Sequence, residues 1–390
     1  MASMENVSKQ QMKILVVTTS LGTGGAEMAL FRVLNVLRHH GVQPLVISIM
    51  AVQGKHFPLA GVEIRTLDMP RARLTLPAIL KARRIVREFQ PDLIQGWMYH
   101  SNVLAHLLRV LAPAGRRLPL AIAIRGSLTI FDQEKKLTRW IIRLDAWLSR
   151  WCQRVLYVSR LAHRQHTEFG YAAQRSLVIP NGFDCQVFAP DPEARPRLRG
   201  ELGLPASTLL VGLIASWQPL KNHRGFLAAV AMLAEQHPDL HVVCAGRGVT
   251  VRNFDAEGII PESIRLRVHL LEERGDIASI NAALDIAVNV SHAEAFPNVV
   301  GEAMACGVPL VVTDVGDSAW ILGGCGEVVP PGDDAVLAAA LDRLLTMTPA
   351  QRQALGRQGR ARVIEHFSLE SVALTYLQEW RAMLAEAKQG

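Results

Sequence analysis

The densest chemistry of the chain lies between Asp285 and Thr313, in DIAVNVSHAEAFPNVVGEAMACGVPLVVT. A strand ends near Val290, and Ser291–Phe296 reads as a loop. Pro297 suits the first turn of a helix, where its missing N–H costs nothing. The helix runs to about Cys306, and Gly307 terminates it. Glu294 lies in the loop just before the helix; Glu302 lies within it, about one and a half turns along. The first N–H groups of a helix have no internal partner. Those near Pro297, Asn298 and Val299 therefore form a cradle for a phosphate, favoured by the helix dipole. A carboxylate one turn in can accept two hydrogen bonds from a vicinal diol, such as the 2′- and 3′-hydroxyls of ribose. A carboxylate in the preceding loop can grip hydroxyls on a second sugar. Ala303, Met304, Ala305 and Cys306 make this helix mostly buried, so an unpaired charge at Glu302 would be costly. One element thus has the groups to hold ribose, diphosphate and hexose in order.

Further candidates are scattered. Lys221 follows Ser216-Trp217-Gln218-Pro219-Leu220 after a strand, and its ammonium can neutralise a diphosphate and stabilise a leaving nucleotide. Gly22, Gly24 and Gly25 remove side chains where a loop would approach a sugar and phosphate, or simply permit a tight turn. His100 ends a strand in Trp97-Met98-Tyr99-His100-Ser101-Asn102 and could line a cleft or be a structural histidine. No residue stands out as a covalent nucleophile. No Asp-x-Asp pair ends a strand, so neither a bound divalent metal nor another cofactor is expected.

Positioning such groups takes strands and helices. Lys13–Thr18 is a short apolar run rich in β-branched residues, followed by a glycine-rich turn and an amphipathic helix from Ala26 to about His39. Val46–Met50, Asp92–Gln95, Ala121–Ile124 and Val155–Val158 continue the strands, with helical stretches such as Pro77–Phe89 between them. The rhythm restarts with strands at Leu209–Ala215, His241–Ala245, Arg267–Leu271, Asp285–Val290 and Leu310–Thr313, and a helix at His223–Glu235. Alternation of this kind builds parallel sheets covered on both faces. The expectation is an α/β fold of two doubly wound, Rossmann-like domains facing a central cleft, since such sheets bind ligands at the carboxyl ends of their strands. The domains expected are residues 12–185 and 186–366, after a disordered leader at 1–11. A turn-rich junction with Pro190, Pro192 and Pro196 separates them, and residues 367–390 form a helix crossing back to the first.

The chain has 390 residues, 49% hydrophobic and 20% charged. That is an ordinary globular balance. No stretch approaches the roughly 18 to 20 apolar residues of a membrane span. The five cysteines are far apart without zinc or redox spacing. This reads as a reduced, cytoplasmic protein. The net charge is +7, and Arg71–Arg150 holds fifteen Lys or Arg against five Asp or Glu. A basic face draws a protein to anionic lipid or polyphosphate substrates, or is only a solvated surface. No nucleic-acid motif accompanies it.

With these residues in place, a resemblance is plain. Glu294-x-Phe296-Pro297-Asn298-Val299-Val300-Gly301-Glu302, continuing to Pro309, resembles the donor-site signature of the family 4 retaining glycosyltransferases of GT-B architecture (glycosyltransferase group 1), of the kind that serve bacterial polysaccharide synthesis. The two glutamates share that family's spacing of seven intervening residues. Gly24-Gly25-Ala26-Glu27, Ile179-Pro180-Asn181-Gly182-Phe183-Asp184 with Phe188, Lys221-Asn222 and Val328-Val329-Pro330-Pro331-Gly332-Asp333 are similar to further family motifs, in chain order. The resemblance implies a hexosyltransferase that moves a sugar from a nucleoside diphosphate, UDP in expectation, with retention and without metal. The acceptor it implies is a growing glycan or a lipid-linked one. Front-face attack by the acceptor hydroxyl is favoured, with the leaving phosphate taking the proton.

The chain departs from the family at three places. Ser216 stands where relatives have an arginine, leaving one phosphate contact missing; Arg247 or Arg224 could compensate. Arg125, in Ala123-Ile124-Arg125-Gly126-Ser127, takes the place of a histidine near the acceptor. It is a permanent cation suited to a phosphate or a sugar hydroxyl, not to proton shuttling. Glu272 replaces a glycine in the loop Leu270-Leu271-Glu272-Glu273-Arg274, which lies near the base in relatives and makes Glu273 and Arg274 donor-side candidates. Rival readings are a GT-B epimerase or hydrolase and a nonenzymatic nucleotide-sugar-binding subunit.

Glu134–Cys152 reads as an amphipathic helix. Leu137, Trp140, Ile141, Leu144, Leu148 and Trp151 share one face, and Lys135, Lys136, Arg139, Arg143 and Arg150 lie elsewhere. Such a helix can lie peripherally on an anionic membrane. The expectation is the commoner arrangement, with the apolar stripe packed in the core of the first domain.

Overall fold

The computed structural model describes residues 11–22, 25–51, 61–69, 75–112 and 118–389. The chain divides into two compact units. One runs to Gly182 and includes the terminal segment from Leu369; the other is Phe183–Ser368. Most of the expected leader, residues 1–10, lies outside the described residues.

The first unit contains, in order, β1 (Met12–Thr18), α1 (Gly25–His39), β2 (Val42–Ser48), β3 (Glu63–Thr66), α2 (Leu76–Phe89), β4 (Leu93–Trp97), α3 (Tyr99–Val110), β5 (Leu120–Ile124), α4 (Lys136–Leu148), β6 (Arg154–Tyr157), α5 (Arg160–Phe169) and β7 (Ser176–Val178). The described strands form one parallel sheet in the order β3-β2-β1-β4-β5-β6-β7. Each apolar strand feeds both faces. Leu15 and Val17 enter one core cluster, Ile14 and Val16 the other. That two-sided burial explains why KILVVT reads as an unbroken apolar run.

The second unit contains α6 (Ala194–Glu201), β8 (Leu209–Ile214), α7 (His223–Met232), β9 (Leu240–Ala245), α8 (Val251–Ala256), β10 (Val268–Leu270), α9 (Ile277–Ala283), β11 (Ile286–Asn289), α10 (Asn298–Ala305), β12 (Leu310–Thr313), α11 (Ser318–Leu322), β13 (Gly326–Val329), α12 (Asp334–Thr346) and α13 (Pro349–Phe367). Its described strands are again all parallel, in the order β10-β9-β8-β11-β12-β13. The chain starts at β8, walks out to β10, then returns to β11 beside β8. That reversal makes a switch point, where doubly wound sheets carry their ligand groups.

The last helix, α14 (Leu369–Gln389), belongs to the first unit. Tyr376, Trp380 and Met383 enter its core, and Trp380 Nε1 donates to buried Gln95 Oε1 at 3.1 Å. The units divide at Gly182–Phe183 and Ser368–Leu369, where the expected breaks were 185–186 and 366–367. Phe183 joins the second unit because its N–H bonds Phe367 O at 2.8 Å and its ring packs on Gly301. Among the described residues no helix is long and apolar enough to cross a membrane.

One expectation holds only in part. Helix α4 splits the apolar stripe: Ile141 packs against the core and Leu144 and Leu148 are half-buried, but Leu137, Trp140 and Trp151 are exposed. Its inward face is Ile142, Asp145 and Ala146. Asp145 Oδ2 accepts from Asn102 Nδ2 and from Tyr171 Oη, both at 3.0 Å. Small residues and a hydrogen-bonded carboxyl let α4 approach the core, and the large rings are turned away.

Candidate functional site

Two loops leave the switch point of the second unit. The first follows β8 and ends in the short turn Pro219–Lys221. Asn222 comes next in left-handed backbone (φ 54°), which asparagine tolerates better than most residues. Its Oδ1 accepts the Gly225 N–H at 3.1 Å and so caps α7. The second loop joins β11 to α10. His292 N–H donates to Leu220 O at 2.8 Å and ties the two loops together.

Across that tie, Lys221 Nζ donates to Glu294 Oε1 at 2.5 Å. Ser291 Oγ donates to the same oxygen at 2.8 Å, and the Ser291 carbonyl accepts from Thr313 Oγ1 at 2.7 Å. The side chains are 25% exposed for Lys221 and 14% for Glu294. Charge-assisted bonds of this kind, shielded from water, fix both groups in place. The Glu294 loop is also clamped by its backbone. Gly316 (φ 57°) passes so close that a Cβ would lie 2.6 Å from Glu294 O, and Asp317 N–H donates to Ala295 O at 3.1 Å.

Pro297 precedes α10 as its cap residue and supplies no side-chain hydrogen bond, and Gly307 (φ 76°) follows the helix. Burial along α10 follows its turn. Asn298, Val299 and Glu302 are half-buried, whereas Val300, Gly301, Ala303, Met304 and Ala305 are buried. Residues three and four apart share a helix face. Glu302 therefore lies on the same face as the first-turn residues Asn298 and Val299. Phe296 is buried and stacks on Phe183, with ring centroids 6.1 Å apart. The Phe183 ring also fills the space beside Gly301, where a Cβ would lie 2.1 Å from Cε2. The helix start is thus pinned from below.

Around this centre, Ser216 is half-buried just past the end of β8 and Arg247 is exposed. Trp217 N–H donates to Arg247 O at 2.8 Å. Glu272 adopts the left-handed backbone expected of the glycine it replaces (φ 54°), and its carbonyl accepts the Gly246 N–H at 2.7 Å. Glu273 is exposed. Arg274 differs from the donor-side role expected of it. It bonds Asp276 at 2.8 and 2.6 Å and pairs with Glu201, so its guanidinium is already engaged. Arg224 donates to Glu257 O at 3.0 Å.

The remaining candidates belong to the first unit. Gly25 opens α1, and Gly24 lies outside the described residues. His100 is half-buried in the first turn of α3, and burial lowers its pKa, which favours the neutral ring. Arg125 is a structural tie and not an open cation. It lies over the Trp97 ring at 4.7 Å, donates to Tyr376 Oη at 3.1 Å, and bonds the Asn181 side chain. It joins the end of β5 to α14, and burial pushes its pKa down. Ser291, the anchor of Glu294, escaped the reading of the sequence. A Ser-x-x-Glu spacing just before a helix was the available signal.

A family model for glycosyltransferase family 4 matches residues 23–187, and one for group 1 glycosyl transferases matches residues 207–347. The chain belongs to the family 4 glycosyltransferases. Its α/β fold is that of the GT-B glycosyltransferases. The D-inositol 3-phosphate glycosyltransferase of Segniliparus rotundus is 31% identical over 224 residues, 55% of this chain and 49% of the relative. The chain thus matches about half the length of that protein. A glycogen synthase of Mycobacterium tuberculosis is 29% identical over 341 residues, 83% of this chain and 76% of the relative. Among solved structures, Anabaena Alr3699/HepE in complex with UDP superposes with a TM-score of 0.79 at 23% identity, covering 95% of this chain and 100% of that one. Sucrose-phosphate synthase from Thermosynechococcus elongatus also gives 0.79, at 22% identity over 96% and 100%. At that identity the likeness is one of fold.

Proposed function

We propose that this glycosyltransferase transfers a sugar from a nucleoside diphosphate sugar, UDP-linked, to a hydroxyl of a growing or lipid-linked glycan in cell-surface polysaccharide synthesis. The observation that carries the reading is the Lys221–Glu294 pair beside the start of α10, with Glu302 on the same helix face as Asn298 and Val299. Glu302 binds the ribose diol. The N–H groups of the first turn of α10 receive the diphosphate. Lys221 balances the charge that grows on the leaving phosphate. Glu294 holds hydroxyls of the hexose. Bound UDP as a ligand of Alr3699/HepE supports the choice of nucleotide.

The anomeric configuration is retained. The acceptor oxygen attacks the anomeric carbon on the face from which the phosphate departs. The C–O bond to phosphate breaks, the C–O bond to the acceptor forms, and the acceptor proton passes to the departing phosphate oxygen. Lys221 takes the electrostatic part that a divalent metal plays elsewhere.

Product analysis by mass spectrometry tests the proposal. A panel of UDP-sugars is incubated with lipid-linked acceptors and, separately, without acceptor. Acceptor gains one hexose if the reading holds. Free sugar, or an epimerised UDP-sugar formed without acceptor, would contradict it.

A further inference from the structure

We infer that the outward face of α4 docks on an anionic lipid bilayer, holding the enzyme at a membrane surface. Three of the chain's seven tryptophans lie on this helix and the turn that ends it. Trp140, Trp147 and Trp151 are 58%, 52% and 49% exposed, and Leu137 is 58% exposed. Side chains seven and eleven residues apart on an α-helix return to within about 20° of one direction. Trp140 and Trp147 therefore share one direction, Trp151 on the closing turn continues the line with its ring centroid 4.4 Å from that of Trp147, and the core-facing residues Ile142, Asp145 and Ala146 lie on the opposite side. Arg109 of α3 bonds the Trp151 carbonyl, and its neighbour Val110 is exposed.

Cations flank the aromatic line. Lys136 and Arg143 sit one turn from Trp140, and Lys135, Arg139 and Arg150 lie further round the helix. Among the described residues none of these five is ion-paired. Elsewhere on the same unit exposed cations do find carboxylates, as Lys81 does with Asp68 and Arg84 with Glu88. Helix α2 packs on the same side of the sheet and adds exposed Leu76, Leu80, Arg83 and Arg87. Unpaired positive charge around exposed aromatic rings fits the interface of an anionic leaflet, where rings settle at headgroup depth and cations meet phosphate. A second copy of the chain fits badly, because a symmetric contact would set these cations against themselves. The inference rests on the proposed function only for its purpose, the delivery of a lipid-linked acceptor.

Co-sedimentation of the full chain with vesicles tests it. The chain should pellet with phosphatidylcholine vesicles containing about 30 mol% phosphatidylglycerol in about 0.1 M salt, and little with phosphatidylcholine alone. The pairs Trp140→Ser with Trp147→Ser and Lys136→Glu with Arg143→Glu should each lower partitioning by about tenfold or more. The side chains are exposed, so melting temperatures should match the unaltered chain. If the tryptophan pair unfolds, the charge pair decides the matter. Three results would overturn the inference: no pelleting with anionic vesicles, pelleting unchanged in both pairs, or a dimer in ultracentrifugation that the tryptophan pair abolishes. UDP titration of the same variants keeps the two proposals separable. Unchanged UDP affinity with lost pelleting supports the docking face, and an unaltered chain that pellets normally but binds no UDP would count against the donor site alone.

Discussion

Lys221 Nζ and Glu294 Oε1 lie 2.5 Å apart, each carried by a different loop at the switch point between β8 and β11. The pair is one unit held by Ser291, and its members should not respond alike to removal. Glu294→Ala takes away a sugar contact and should lower transfer by about a hundredfold while changing UDP affinity by about threefold or less. Lys221→Ala removes the phosphate cation and should weaken UDP itself by about tenfold. Steady-state rates and UDP calorimetry on both variants check this. Equal losses of rate and affinity in Glu294→Ala would argue against its contact with the hexose.

Gly301 sets the packing of α10. Alanine ordinarily stabilises a helix interior over glycine by about 0.5–1 kcal/mol. Here its Cβ would lie 2.1 Å from Phe183 Cε2, so Gly301→Ala should instead destabilise the chain by about 1–3 kcal/mol. Phe183→Leu in the same chain should recover part of the loss. Urea unfolding measures both, and a Gly301→Ala variant as stable as the parent would show that the ring yields.

Asp145 predicts a pH dependence. Burial pushes its carboxyl up to about 7 from 3.8. In that interval the unfolded chain has released the proton that the folded chain keeps. Stability from this group is therefore fully present below about pH 4 and is lost as pH rises to about 7. Asp145→Asn should remove about 2 kcal/mol of that decline between about pH 5 and pH 7. Denaturant melts at the two pH values compare the slopes, and identical slopes would mean the carboxyl is ionised in the fold.

The fold was legible where burial is two-sided. β1, β5 and β12 read as apolar runs and are central strands. β3 and β7 passed unnoticed because edge strands are short and partly exposed: Glu63-Ile64-Arg65-Thr66 has no run to see. Within the site, Glu294, Glu302 and Lys221 were visible from type and spacing. Arg125 was misjudged because its partners, Tyr376 and Asn181, come from segments far along the chain. The stripe on α4 misled for a related reason. Periodicity reports that a helix has an apolar face, but not which way that face points.

The central claim, that the start of α10 and Glu302 hold the donor nucleotide, is tested most directly by calorimetric titration of UDP into the folded chain and into Glu302→Ala. The expected result is saturable binding that weakens by about tenfold or more in the variant, about 1.4 kcal/mol or more. UDP affinity unchanged by the substitution, with the variant folded, would contradict the assignment of Glu302 to the ribose.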